Sequence, residues 1–272
     1  MPKQIVITGG FDDLRSRHIR FLEESARLGS LTVLLWSDAS LRRLTGAEPK
    51  FPEAERAYVL NAVRFVSRVE LVERPADPDS LPEIPGPRPD CWVVEVAQDT
   101  SAKKSFCTAH RIGYQVIPDE NLLGFPEAPP PALAANRKKV IATGCYDWFH
   151  SGHVRFFEEV SGYGDLYVVV GHDANVRQLK GAPHPMHSQD ERRYLVGAIR
   201  FVAQALVSTG EGWLDAEPEI ERLRPDIYAV NEDGDRGGKR EFCTQHGIEY
   251  LVLKRAPAPG LPRRSSTELR GF

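Results

Sequence analysis

Cysteine is scarce in this chain of 272 residues. The four cysteines, Cys91, Cys107, Cys145 and Cys243, lie far apart and form no CxxC pair. Structural zinc sites and disulfide frameworks need cysteines at characteristic spacings, so we expect neither. Few, widely separated thiols are typical of proteins from a reducing compartment, and we therefore expect a cytoplasmic location.

Long apolar runs and a strong net charge are also missing. No stretch approaches the roughly 20 apolar residues that cross a bilayer, and the N-terminus, MPKQIVITGG, has no signal-peptide pattern. We expect neither a membrane span nor a signal peptide. The formal charge is −3, so the composition does not indicate a polycationic surface that binds nucleic acid. The remaining composition is that of a soluble globular protein with a real core.

The chain contains a tandem repeat instead. The segment GGFDDLRSRHIRFLEESARLGSL, which starts at Gly9, aligns with GCYDWFHSGHVRFFEEVSGYGDL, which starts at Gly144. This alignment pairs His18 with His153 at a constant separation of 135 residues. At a separation of 136 it resumes, with AVRFV against AIRFV and RPD against RPD. A chance match does not hold its register over such a span, so two copies of one domain are predicted.

Each copy alternates short apolar runs with amphipathic segments. This alternation predicts βαβ units, and hence an α/β fold in which a parallel sheet is flanked by helices on both faces. We place the copies at residues 1–124 and 138–272, joined by a Pro-rich linker over residues 125–137. In the second copy we expect a helix over DERRYLVGAIRFV, residues 190–202, and a strand in ALVST. Ligands are expected at the carboxyl ends of the strands.

Two histidines lie where the first strand of the second copy meets a helix. The segment GCYDWFHSGH places His150 and His153 three residues apart, with Gly152 between them. Such a junction presents backbone N–H groups and a positive helix end to an anion, and glycine lets the backbone approach it closely. In-line displacement at phosphorus needs donors aimed at oxygens whose charge grows. The pattern predicts a phosphate site, with a metal-binding pair or two unrelated surface histidines as alternatives.

The pattern G-x-[FY]-D-x-x-H-x-G-H resembles the signature of the cytidylyltransferase-like nucleotidyltransferases. Three more segments resemble that family: LKGAP from Leu179, DERRYLVGAIRFV, and SSTELR from Ser265. The resemblance covers most of residues 138–272 and, in decayed form, residues 3–120. It is greatest to the ethanolamine-phosphate cytidylyltransferases, which are themselves tandem. It implies two tandem Rossmann-like domains of the HUP type.

The resemblance also implies roles for individual residues. The predicted catalytic residues are His150, His153 and Lys180. Residues expected to contact nucleotide are Gly144, Cys145, Tyr146, Asp147, Gly152, Arg192, Asn231, Asp233, Arg264, Ser265, Ser266 and Thr267. The histidines would donate to the α-phosphate, and the Ser-Ser-Thr cluster to the β- and γ-phosphates. Asp147 could instead orient the loop. Triphosphate chemistry normally brings Mg²⁺, which we infer from the substrate class and from no particular ligand set.

Two segments depart from the family pattern. The family places an arginine a few residues before a Gly-Ile-Ser-Thr-Thr sequence, whereas this chain has LPRRSST, so Arg263 or Arg264 is expected to supply that arginine. The family's Gly-Asp-Asp corresponds here to Asn231-Glu232-Asp233.

The first copy has lost most of these groups. The replacements are Arg15 for His150, Arg17 for Gly152 and Thr45 for Lys180, and no Ser-Thr cluster follows. Only Asp12 and His18 remain. We predict that residues 1–124 are non-catalytic and pack as one half of an internal pseudo-dimer, with further homo-oligomerisation left open. Whether an anion binds near Arg15, Arg17 and His18 is left open by the sequence.

The sequence as a whole predicts a nucleotidyltransferase. It would join a nucleoside triphosphate (NTP), with CTP favoured, to a phosphorylated small alcohol and release pyrophosphate. One alternative is an adenylyltransferase that uses ATP, and another, from a different class, is a non-catalytic nucleotide sensor. A fragment of an HIGH-type aminoacyl-tRNA synthetase is a third alternative. The short chain, the absence of a tRNA-sized basic surface and the absence of a KMSKS loop argue against it.

Overall fold

The computed structural model describes residues 2–83, 88–127, 136–266 and 269. The chain divides into two compact units, Met1–Gly124 and Phe125–Phe272. Of the Pro-rich segment predicted as a linker, residues 128–135 lie outside the described residues. In the part of the chain that is described, no helix is both long enough and apolar enough to cross a membrane.

The first unit is a five-stranded parallel sheet with helices between its strands. The strands are β1 (Gln4–Gly9), β2 (Ser30–Trp36), β3 (Arg68–Val72), β4 (Cys91–Glu95) and β5 (Gly113–Ile117). The α-helices are α1 (Ser16–Ala26), α2 (Asp38–Thr45), α3 (Glu53–Ala62) and α4 (Ser101–His110). The strand order is β3-β2-β1-β4-β5, so the chain builds one half of the sheet, returns past β1 and then builds the other half.

The second unit repeats this architecture. Its strands are β6 (Lys139–Gly144), β7 (Asp165–Val170), β8 (Val202–Val207), β9 (Ile227–Asn231) and β10 (Glu249–Leu253). Its α-helices are α5 (Ser151–Ser161), α6 (Asp173–Lys180), α7 (Gln189–Gly197), α8 (Glu217–Leu223) and α9 (Lys239–His246). The order β8-β7-β6-β9-β10 matches that of the first unit, and all pairs are parallel. Two tandem Rossmann-like domains, as predicted, are confirmed.

The central strands are buried on both faces, which explains why they appear in the sequence as unbroken apolar runs. In β6 the side chains of Val140, Ile141 and Ala142 are fully buried, and β7 is equally inaccessible. One predicted helix is shorter than expected. The α7 helix ends at Gly197, and Val202, assigned from the sequence to that helix, begins β8 and pairs with Leu166 of β7. Glycine is a poor helix residue and Val202 is β-branched, so both favour this earlier end.

Candidate active site

A cavity of about 310 Å³ opens at the carboxyl ends of β6 and β9. At this point the chain leaves β6 towards β7 on one side and later returns to β9 on the other, which is where parallel α/β sheets bind ligands. Most of the predicted site residues line it: Gly144, Cys145, Tyr146, Asp147, His150, Gly152, His153, Lys180, Asn231, Asp233, Ser265 and Ser266. Thr267 lies outside the described residues.

The connection after β6 is shaped by a glycine and a strained tyrosine. Tyr146 has a φ of 56°, in the left-handed region that non-glycine residues rarely adopt. Its buried ring packs against His153 and Phe157, with centroid separations of 5.2 and 5.4 Å. A Cβ on Gly144 would lie 2.8 Å from this ring, so only glycine fits there. The loop is thereby held in one conformation under the two site histidines.

The two histidines are oriented by backbone hydrogen bonds at the start of α5. The N–H of Gly152 donates to Nδ1 of His150 over 3.1 Å, and the N–H of His150 donates to Nδ1 of His153 over 3.3 Å. The rings stack with centroids 3.9 Å apart. Because each Nδ1 accepts a hydrogen bond, each neutral ring carries its proton on Nε2. His150 Nε2 is buried and has no hydrogen-bond partner among the described residues, so its N–H is free to donate to a ligand.

Both rings are held in the neutral form. Burial is the main cause that lowers the pKa of His150, to about 3, and the positive charges of Arg255 and Arg264 lower it further. Burial likewise places the pKa of His153 well below its usual value, and the neighbouring His150, Arg255 and Lys180 add to the shift. Near neutral pH the pair therefore presents two uncharged N–H donors.

We expect these buried histidines to make the protein acid-sensitive. An unfolded imidazole takes up its proton near pH 6.5, whereas His150 in the folded protein resists protonation down to about pH 3. Stability is therefore fully present above pH 6.5 and falls as the pH drops from 6.5 towards 3. The expected loss is up to about 1.4 kcal/mol per pH unit for each ring.

Thermal unfolding at pH 7 and pH 5 tests this expectation. In a His150→Asn/His153→Asn double variant, the difference between the two unfolding temperatures should shrink. His18, whose pKa is also lowered by burial, is present in both proteins and does not affect the comparison. An equal loss in both proteins would show that the pair is not what makes the protein acid-sensitive.

Asp147 holds the α6–α7 connection against the histidine loop. Its carboxylate accepts the N–H groups of Met186 and His187 over 2.8 and 3.0 Å, and the Nδ1 of His184 lies 3.3 Å away. Burial alone would raise the pKa of Asp147, but these donors and Arg192 outweigh it and the net pKa is lowered. Asp147 is thus a fixed carboxylate whose contacts are to protein groups.

Arg192 is absent from the residues that line the cavity. Its buried guanidinium donates to the carbonyl oxygens of His187, Cys145 and Gly171 and to the carboxylate of Asp173, over 2.6–2.9 Å. Its partners are therefore three backbone carbonyls and one side chain of the protein. Arg192 therefore holds the framework of the loop, and its contact to nucleotide stays a prediction.

The first unit keeps this framework. Asp12 accepts the N–H groups of Lys50 and Phe51, both over 2.8 Å. Arg56 donates to the carbonyl oxygens of Phe51, Gly10 and Trp36 and to the carboxylate of Asp38. Apart from the contact of His184 with Asp147, which has no counterpart at Asp12, these contacts match those of Asp147 and Arg192 one for one. The first unit keeps this framework although it has lost the counterparts of His150 and Lys180. The framework residues therefore hold the fold, whereas His150 and Lys180 are available for chemistry.

Arg255 is a cavity residue that the sequence analysis did not identify. Its guanidinium donates to the carboxylate of Asp233 and, over 2.7 Å, to the carbonyl oxygen of Arg264. Arg264, predicted to contact nucleotide, is absent from the cavity lining and holds Arg255 through its backbone. The missed signal was position: Arg255 comes two residues after β10, at the carboxyl end of a strand.

The equivalent place in the first unit holds an ion-pair cluster. Arg17, in the place of Gly152, donates to Glu95 over 3.0 Å and to Asp119 over 2.5 Å. Glu95 is the last residue of β4, as Asn231 is of β9, and Asp119 follows β5 at the same distance as Arg255 follows β10. In the first unit, therefore, a cation stands at the place of Gly152 and a carboxylate at the place of Arg255. The charges at these two positions are reversed relative to the second unit.

The ion pairs around Arg15 and Arg17 disfavour the anion binding that the sequence left open near these residues and His18. Arg17 is neutralised by two carboxylates, and the Arg15 guanidinium lies 2.6 Å from Asp13. An anion would have to displace these carboxylates.

The remaining predicted groups lie at the mouth of the cavity. Lys180 is exposed at the end of α6, and Ser265 and Ser266 reach the cavity from the C-terminal segment. The hydroxyl of Ser266 donates to the carbonyl oxygen of Trp148 over 3.4 Å, which places this segment over the histidine loop. The positive, hydroxyl and imidazole donors therefore converge on one space.

The described residues do not include a protein-only metal site. No group of three or more His, Cys, Asp or Glu side chains is arranged to hold a metal ion in that part of the chain. Of the two carboxylates among the cavity residues, Asp147 is engaged by backbone N–H groups and Asp233 by Arg255. Mg²⁺ stays a prediction based on the substrate class.

Comparison with known proteins finds several proteins to which this chain is similar. A family model described as Cytidylyltransferase-like matches residues 141–271. An FAD synthase of Ferroglobus placidus is 38% identical over 119 residues, which cover 43% of this chain and 75% of that protein. The bifunctional protein HldE of Pseudomonas paraeruginosa is 35% identical over 144 residues, 50% of this chain and 27% of that protein. A lipopolysaccharide core biosynthesis protein from Thermoplasma volcanium, with a solved structure, is 22% identical with a TM-score of 0.38, covering 45% of this chain and 98% of its own.

Proposed function

Given that this chain belongs to the cytidylyltransferase-like family of nucleotidyltransferases, we propose that residues 138–272 transfer the nucleotidyl group of an NTP to a phosphate monoester. One observation carries the proposal. The buried Nε2–H of His150 has no partner among the described residues and sits in a cavity that also holds His153, Lys180 and Arg255. A preorganised donor with no protein acceptor is what a developing negative charge requires.

The proposed reaction needs little acid–base chemistry from the protein. An oxygen of the acceptor phosphate attacks the α-phosphorus of the NTP, the new P–O bond forms, and the bond to the β-phosphate breaks. Pyrophosphate leaves with the electron pair. Because the nucleophile is already an anion, no base has to remove a proton. This agrees with two histidines whose Nδ1 atoms are occupied and whose Nε2–H groups can only donate.

The charges around the cavity support a division of labour. His150 and His153 donate to the α-phosphate oxygens as their charge grows in the transition state. Arg255, freed from Asp233, neutralises the departing pyrophosphate together with the hydroxyls of the C-terminal segment. Lys180 neutralises phosphate charge at the opposite side. We propose that residues 1–124 do not catalyse, because Arg17 fills the corresponding space there.

Two arguments bear on the identity of the NTP, and they favour different nucleotides. The sequence resemblance favours CTP. The relatives named FAD synthase make a product in which an adenylyl group is joined to a flavin phosphate, and this favours ATP. We propose ATP as the donor, with CTP as the alternative, and a phosphorylated small alcohol as the acceptor, a class that includes FMN.

A pyrophosphate-release assay tests the proposal. The full-length protein is incubated with each of four NTPs and Mg²⁺, together with FMN, phosphoethanolamine, phosphocholine, glycerol 3-phosphate or a sugar phosphate. We expect pyrophosphate release that requires both an NTP and one monoester. If the protein bound an NTP but no combination of NTP and acceptor released pyrophosphate, the result would support the non-catalytic sensor instead.

Arg255→Ala is expected to raise the KM for the NTP by about 10-fold to 100-fold. The variant removes a charge-assisted hydrogen bond, worth about 1.5–3 kcal/mol. Arg240→Ala is the matched control, because Arg240 pairs with Asp235 on an exposed face outside the cavity lining. Steady-state kinetics would contradict the assignment if both variants had the wild-type KM.

A further inference from the structure

His184 is a third histidine of the cavity, and the sequence analysis gave it no role. It lies on the α6–α7 connection, a few residues after Lys180, and its side chain lines the cavity with only 10% of its surface exposed. Its Nδ1 is 3.3 Å from Oδ2 of Asp147. The ring is thus held between the framework carboxylate and the space where phosphates would bind.

The hydrogen-bond pattern of His184 is the reverse of that of the catalytic pair. Asp147 is held as a carboxylate, since the donors around it lower its pKa, and a carboxylate can only accept. The Nδ1 of His184 must therefore carry the proton, whereas the Nδ1 atoms of His150 and His153 accept from backbone N–H groups. This leaves Nε2 of His184 without a hydrogen-bond partner among the described residues.

The strand order puts His184 and Arg255 on opposite sides of β6. In-line displacement requires the attacking and leaving oxygens to lie on opposite sides of the α-phosphorus. Arg255 comes from the β9–β10 side of the sheet, while Lys180 and His184 follow β7 on the other side of β6. If Arg255 neutralises the pyrophosphate, the acceptor phosphate approaches from the side of Lys180 and His184.

In the first unit both Lys180 and His184 are replaced. The chain positions of Lys180 and His184 are taken there by Thr45 and Glu48. Glu48 lies two residues before Lys50, whose N–H binds Asp12, as His184 lies two residues before Met186. Its carboxylate is 74% exposed and pairs with Arg42. A carboxylate at this position would repel a phosphate, although the framework around Asp12 is intact.

We propose that His184 binds the phosphate of the acceptor, with Nδ1–H donating to Asp147 and Nε2–H donating to a phosphate oxygen. This rests on the proposed function above and names a substrate-binding residue for it. In that complex the carboxylate accepts one ring N–H and the phosphate accepts the other. His184 is therefore a specificity residue for an anionic acceptor and does not contact the leaving group.

Steady-state kinetics of His184→Gln, His184→Glu and His184→Arg test the proposal. We expect the acceptor KM to rise about 10-fold in the glutamine variant and more in the glutamate variant, as expected for the loss of one charge-assisted hydrogen bond. The KM for the NTP should stay within about 2-fold. Arginine keeps a cation between Asp147 and the phosphate, so it should recover most of the acceptor affinity. His246→Gln is the control, because the Nδ1 of His246 binds the carbonyl of Phe242 away from the cavity.

Equilibrium binding of FMN and glycerol 3-phosphate to the same variants gives a readout that does not need turnover. Tighter binding to wild type and His184→Arg than to His184→Glu supports the proposal. An acceptor KM or binding constant unchanged in all three variants overturns it, as does an equal rise in the KM for the NTP. Failure of the wild-type protein to release pyrophosphate would count against the proposed function alone, because the binding comparison still decides the role of His184.

Discussion

Replacing His150 or His153 by alanine should lower kcat by about 10² or more, because removing one preorganised donor to a developing oxyanion typically costs about 10²–10³ in rate. The fold should survive, since the framework of Asp147 and Arg192 does not involve either ring. The loss should appear in kcat rather than in the KM for the NTP, because these donors act on charge that grows only in the transition state.

The chain supplies its own control for this experiment. His18 has the same place in the first unit as His153 in the second, and its Nδ1 accepts the N–H of Arg15 as that of His153 accepts the N–H of His150. His18→Ala should leave turnover unchanged, whereas a loss comparable to that of His153→Ala would show that the first unit takes part in catalysis. Activity within a few-fold of wild type in both His150→Ala and His153→Ala would refute the assignment of the pair.

Gly152→Arg should abolish nucleotide binding. A Cβ at Gly152 would lie 2.9 Å from two atoms of the His150 ring, so any side chain displaces the donor. In the first unit the arginine at this place is accommodated by Glu95 and Asp119, but in the second it would meet Arg255. We expect affinity for ATP or CTP to fall at least about 100-fold, which corresponds to about 2.7 kcal/mol.

Isothermal titration calorimetry with ATP and CTP measures the effect of Gly152→Arg. Arg17→Gly in the first unit is the matched control and should leave nucleotide affinity and turnover at wild-type values. Retained binding in Gly152→Arg would mean that the nucleotide does not approach the start of α5.

The architecture could be predicted because the composition of each strand indicates whether the strand is buried. Unbroken apolar runs such as DLYVVV predict strands covered on both faces, and the register of the repeat required the two units to share a strand order. The end of α7 was misjudged because the residues after Gly197 continue an apolar pattern that fits a helix or a strand equally well. Pairing of Val202 with Leu166, a contact distant in sequence, decides between them.

The cavity residues that share a local sequence motif were predicted. Those that only the topology of the sheet brings to the cavity were missed. His150, Gly152 and His153 share one loop, so their spacing reveals them. Arg255 and His184 reach the cavity from separate connections, which no motif joins. The framework contacts of Arg192 were missed for the same reason, since the four acceptors that engage its guanidinium are spread over separate segments.

Transfer of label from the α-phosphate tests the central claim most directly. The protein is incubated with the acceptor and with NTP labelled either at the α- or at the γ-phosphate, and the products are separated. We expect the α-label in a covalent adduct with the acceptor and the γ-label in pyrophosphate, in equal amounts, with the rate of both falling by about 10² or more in His150→Ala. A γ-label recovered in inorganic phosphate or on the acceptor, with no α-label transferred, would contradict nucleotidyl transfer by this chain.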